Sequence, residues 1–85
     1  MWVDIKTVSV SDYITFIGNA PKKYILEVVA IEETRFSYRR KYFYKYLNSD
    51  ISFYLIQHDN LRVFLIKNID DKYFTLDWLW KGDKT

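Results

Sequence analysis

Eighty-five residues, 20% of them aromatic and none of them cysteine, leave room for one domain whose core is built from large rings, without disulfides or thiolate metal centres. The net charge of +2 is too small to mark a nucleic-acid binder by itself, and 28% charged residues is close to the ordinary proportion. The position of the cations therefore carries more information than their number.

The whole of 1–85 reads as a single compact domain with 82–85 as a short solvated tail. The start, Met1 to Lys6, lacks the basic-then-apolar pattern of a signal peptide. The apolar runs Phe53 to Ile56 and Val63 to Ile66 fall far short of the roughly 18 residues a spanning helix needs. A cytoplasmic protein with no membrane contact is expected. Residues with A/T-rich codons (Phe, Tyr, Met, Ile, Asn, Lys) greatly outnumber Gly, Ala, Arg and Pro, which points to an A/T-rich source such as a low-GC bacterium, its phages or mobile elements, or an archaeal virus.

Trp2 to Val10, with Val3, Ile5, Val8 and Val10 in loose alternation, predicts an N-terminal strand ending near Ser11. Over 11–18, Ser11 as N-cap, Asp12 in the first turn, Tyr13, Ile14 and Ile17 on one face and Gly18 as the stop predict a short helix. The competing reading continues the strand through Phe16 on β-branched propensity. Asn19-Ala20-Pro21-Lys22 is a loop. Tyr24 to Glu32 alternates Ile25, Glu27, Val29 and Ile31 against Tyr24, Leu26, Val28 and Ala30, as a largely buried strand does.

Thr34 to Leu47 is the stretch the chain is organised around. At a period of two, Phe36, Tyr38, Tyr42, Tyr44 and Tyr46 share one face, interrupted only by Arg40; Arg35, Ser37, Arg39, Lys41 and Lys45 share the other. That is a strand with an aromatic side and a basic side. A helix is the alternative, with Phe36, Phe43 and Leu47 on one face, but tyrosine and phenylalanine favour strands.

Asn48-Ser49-Asp50 is a turn. Ile51 to Gln57 and Leu61 to Lys67, separated by His58-Asp59-Asn60, predict a hairpin of two central strands, apolar on both faces. After a turn at 68–72, Tyr73 to Trp80 predicts a last strand. The expected fold is α+β or all-β: a five- to six-stranded, mostly antiparallel curved sheet with a C-terminal three-strand meander and one or two short helices. Its core would hold Ile25, Val29, Phe53, Leu55, Val63, Leu65, Phe74, Leu76 and Trp78.

Chemistry-bearing residues are sparse. His58 beside Asp59 could act as a base with its orienting carboxylate, yet no motif supplies a nucleophile, so an exposed turn residue is the simpler reading. Asp70, Asp71 and Asp77 match no oxygen-ligand spacing, Glu32 and Glu33 finish a strand beside the basic stretch, and the isolated Gly18 makes no phosphate-cradling loop. Trp78 and Trp80 lie on an apolar face and read as core. No enzyme, metal or cofactor is expected. The expected function is protein binding: a small phage or mobile-element protein that inhibits or modulates a host protein, with Arg39, Arg40, Tyr42 and Tyr44 as the contact patch. The alternative is nucleic-acid binding, with Arg35, Arg39, Arg40, Lys41 and Lys45 on phosphates while neighbouring rings stack on bases. A homodimer would follow from an exposed aromatic face.

Overall fold

The computed structural model describes residues 1–18 and 24–66. Over them run six strands: β1 (Trp2–Asp4), β2 (Tyr13–Thr15), β3 (Leu26–Glu33), β4 (Arg39–Tyr46), β5 (Ser52–His58) and β6 (Arg62–Ile66). They form one sheet in the order β1-β6-β2-β3-β4-β5, and every pairing is antiparallel. The only helix among the described residues is a 3-10 turn at Ile5–Thr7, so none is long and apolar enough to cross a membrane. The expected class, a small domain with a curved and mostly antiparallel sheet, is what is found.

The pairing differs from the expected hairpin. The two apolar strands form, as β5 and β6, but among the described residues β5 pairs only with β4, whereas β6 sits between β1 and β2. The run of sequential neighbours is β2 to β5, not the C-terminal end, and β5 is an edge strand among the described residues. The expected strand over Tyr73 to Trp80, like the loop at 19–22, lies outside the described residues.

Chain length explains how a three-residue link can join strands so far apart in the order. In a flat sheet β6 would lie four spacings from β5, about 19 Å. His58 and Arg62 can separate by at most about 15 Å. The sheet must curl, and the link is in fact a tight turn, with the Leu61 N–H donating to the His58 carbonyl at 3.1 Å. It is tied at both ends: Asp59 N–H donates to the Tyr38 carbonyl at 2.9 Å and Ile5 N–H to the Leu61 carbonyl at 2.8 Å.

Two further expectations are corrected at the N-terminal end. The first strand stops at Asp4, because the chain turns at Ile5 to bury that side chain. The segment 11–18 is not a helix. Ser11 has φ 81°, whereas an N-cap needs extended backbone, and Asp12 uses its carboxylate to accept the Ser9 N–H at 2.8 Å. The polar residues thus make a turn, which releases Tyr13–Thr15 to fill the gap between β3 and β6.

The core lies inside the curl. Ile14, Leu26, Val28, Tyr42, Tyr44 and Val63 meet there with Ile5 and Val8 from the N-terminal turn. A bulge between Val28 and Ala30 lets β3 follow the curve: Val28 faces Tyr44, Ala30 faces Phe43, and the extra residue Val29 turns outward. Of the expected core, Ile25 and Val63 are buried, and Phe53 and Leu65 pack on the cluster from partly buried positions. Val29 is displaced by the bulge and Leu55 by its place on the edge strand, leaving both exposed. Phe74, Leu76 and Trp78 lie outside the described residues.

An aromatic and cationic outer face

The two sides of β4 are as different as their residues. Tyr42 and Tyr44 point into the curl, fully buried, with rings stacked at 6.3 Å and 10°. Arg39, Lys41, Phe43 and Lys45 take the outer side, since successive side chains alternate. Beside them on β5 lie His58, Ile56, Tyr54 and Ser52; on β3, Glu32 faces Lys41, Ala30 faces Phe43 and Glu27 faces Lys45.

Rings and cations interleave across this surface. Phe43 and Tyr54 are 5.7 Å apart, and the Lys41 ammonium rests 4.4 Å from the Tyr54 ring and 5.5 Å from that of Phe43. At the tip, Thr34 anchors the 34–38 loop by donating its hydroxyl to the Arg39 carbonyl at 2.7 Å and accepting the Phe36 N–H at 3.1 Å. The loop lifts Phe36 and Tyr38 into a ring run with His58: 5.6 Å from Phe36 to Tyr38, then 5.2 Å from Tyr38 to His58. The Arg35 guanidinium lies 5.1 Å from the Phe36 ring and that of Arg39 5.7 Å from the Tyr38 ring. Such contacts hold a cation in place while leaving its charge open to an anion.

Arg40 behaves differently from its neighbours. Its Nε lies 3.7 Å from Asp59 Oδ1 and 3.9 Å from Glu33 Oε1, and that Asp59 oxygen is buried with no hydrogen-bond partner among the described residues. Arg40 is thus a local brace closing the end of the curl. Arg35, Arg39, Lys41 and Lys45 take part in no ion pair among the described residues. Lys41 leans over Tyr54 rather than toward Glu32, its direct cross-strand neighbour.

The expected contact patch is therefore divided. Arg39 is exposed on the outer face, Arg40 is held by carboxylates, and Tyr42 and Tyr44 belong to the core. The Tyr42 hydroxyl donates to the Ile5 carbonyl at 3.4 Å and that of Tyr44 to Gln57 Oε1. Burial pushes both phenols up from the ordinary tyrosine range, Tyr44 far up with a further contribution from Tyr42 beside it. Of the expected phosphate set, Arg35, Arg39, Lys41 and Lys45 stand apart from Arg40.

His58 is not arranged as a base oriented by Asp59. Its Nδ1 accepts the Asn60 N–H at 3.2 Å, and Asp59 faces Arg40. Sequence reasoning left Tyr54, Ile56 and Phe43 out of the site. The predicted turn hid them: counting outward from Asn48-Ser49-Asp50 sets Tyr54 opposite Tyr44, whereas the actual loop also takes in Leu47, so that Tyr46 pairs with Ile51, Tyr54 meets Phe43 and Ile56 meets Lys41.

Among the described residues no three His, Asp or Glu side chains are placed to hold a metal ion. An apolar cavity of about 120 Å³, whose walls include Phe16, Leu26, Tyr46 and Phe53, is large enough only for a small group. No family model matches the chain, and no curated protein or solved structure shows significant similarity to it.

Proposed function

We propose that this is a non-enzymatic binding domain whose partner is a protein, met on the outer face of β4 and β5. The observation that carries the reading is the combination of exposed apolar side chains on the outer side of β5, with Tyr54 54% and Ile56 53% exposed, and the cations Arg39, Lys41 and Lys45, which no carboxylate among the described residues holds. Tyrosine and arginine set in an apolar patch are characteristic of interface anchors. Glu27 and Glu32, facing Lys45 and Lys41, weaken the positive field that a phosphate backbone would need. The A/T-rich coding favours a phage or mobile-element protein, acting in the cytoplasm by inhibiting or modulating a host protein.

One observation favours nucleic acid as a second reading: the Phe36–Tyr38–His58 ring run with Arg35 and Arg39 against its first two rings, a form suited to splayed bases and their phosphates. Titrating the intrinsic fluorescence with single-stranded and duplex DNA and RNA at low salt separates the two. Protein binding predicts no saturable quenching. Saturable quenching whose log K falls with log salt by about 0.7 per contact on single strands, and which Arg35→Ala with Arg39→Ala abolishes, would replace the protein reading with this one.

A further inference from the structure

We infer that the edge of β5, open among the described residues, takes up an extended, acidic segment of the partner as a further strand; this rests on the protein-binding reading above. The Ile51 carbonyl accepts the Tyr46 N–H and the Asp59 N–H donates to the Tyr38 carbonyl, so odd-numbered residues turn their backbone groups toward β4. By alternation, Ser52, Tyr54 and Ile56 turn theirs to the open side. No strand among the described residues covers that side. Edges are ordinarily guarded by lysine, proline or bulges, yet Ser52–His58 reads SFYLIQH, without a lysine, a proline or a carboxylate, and it pairs with β4 in unbroken register.

Charge selects the occupant. Lys41 carries its ammonium over Tyr54, from β4 out to the strand beside the opening, and Arg39 lies at the same end of the face, opposite His58. An incoming strand alternates its side chains like any other. Apolar residues on it would meet Leu55 on one face. Carboxylates on the other would meet Lys41 and Arg39 beyond Tyr54 and Ile56. Strand addition supplies affinity through the backbone and specificity through these alternate contacts.

The test uses a fluorescein-labelled synthetic peptide alternating valine and glutamate, its valine–lysine counterpart, and the valine–glutamate peptide N-methylated on alternate residues, each titrated at low salt and followed by anisotropy. The acidic peptide should bind saturably, with the basic and N-methylated forms at least about tenfold weaker. Lys41→Glu should transfer the preference to the basic peptide. Ile56→Pro, which removes an outward N–H and leaves the β4 ladder intact, should weaken binding about tenfold with the far-UV spectrum unchanged. Equal binding of the N-methylated peptide, or by Ile56→Pro, would overturn strand addition while leaving a side-chain protein contact standing. Self-association in sedimentation velocity that Ile56→Pro abolishes would overturn it in favour of a second copy on the edge. No binding of any peptide would overturn it too, and saturable oligonucleotide binding in its place would take the protein reading down as well.

Discussion

Raising the pH above the tyrosine range should unfold this protein through two phenols in its core. Tyr42 and Tyr44 are both fully buried, and burial holds the folded-state pKa of each above its value in the unfolded chain. A raised pKa favours the protonated phenol in the fold, so as pH climbs the unfolded chain releases its protons first. The stability is intact below about pH 10 and drains away as pH rises toward the folded values. For Tyr44 alone, integrating from about pH 9 to about pH 11 gives a loss of about 1.4 kcal/mol, with Tyr42 adding in the same direction. Urea denaturation across that interval would measure it, compared with Tyr44→Phe. The variant forfeits the hydrogen bond to Gln57, about 1 kcal/mol, at every pH, but it should lose less stability than the parent between the two pH values. Lysine ionisation is common to both proteins and cancels. Equal pH slopes would refute the account, and so would tyrosinate absorbance showing all eight tyrosines ionising before the fold is lost.

Two further perturbations probe the brace and the core. Arg40→Ala leaves the buried Asp59 oxygen without its cation; because both side chains are about a quarter exposed, the expected loss is about 1 kcal/mol, partly restored by adding Asp59→Asn, and an unchanged urea midpoint would show that the pair contributes nothing. Ile14→Ala opens a void where a fully buried side chain sits between β3 and β6; an expected loss of about 2–5 kcal/mol should lower the melting temperature by about 10–25 °C, and a change within a few degrees would show that the gap closes by collapse.

The strands were legible where hydrophobic period and propensity agreed. Tyr24 to Glu32 shifts by two residues at its start, and β4 fills the second half of the stretch predicted from its alternating rings. Pairing was less legible. His58-Asp59-Asn60 is a sound turn sequence, but a turn says only that the chain reverses, not that the next strand stays beside the last; in a curled sheet the same reversal delivers β6 to the far side. Ser11 and Asp12 misled for a related reason, since the chemistry that caps a helix also builds a turn. The bulge at Val29 left no mark in a run of β-branched residues. In the candidate site the two faces of β4 were separable, but Arg40 on the tyrosine face looked like an interruption to a contact surface. It marks where the inner face reaches the end of the curl and meets Asp59. Which face was inner depended on the strands that close over it, and those are remote in sequence.

That closure imposes an order on the birth of the molecule. The first strand of the chain has its partner in the last described one, Trp2 against Phe64 and Asp4 against Arg62, and β2 likewise needs β6 on one side. On a ribosome, the β3–β4 and β4–β5 hairpins can assemble as they emerge. The amino-terminal strand must wait, unpaired, until nearly all of the described chain has left the tunnel. Long-range closure of this kind slows folding, and a strand edge left open in the meantime is exposed to the wrong neighbour. For this chain, the unpaired wait of β1 is part of the folding problem.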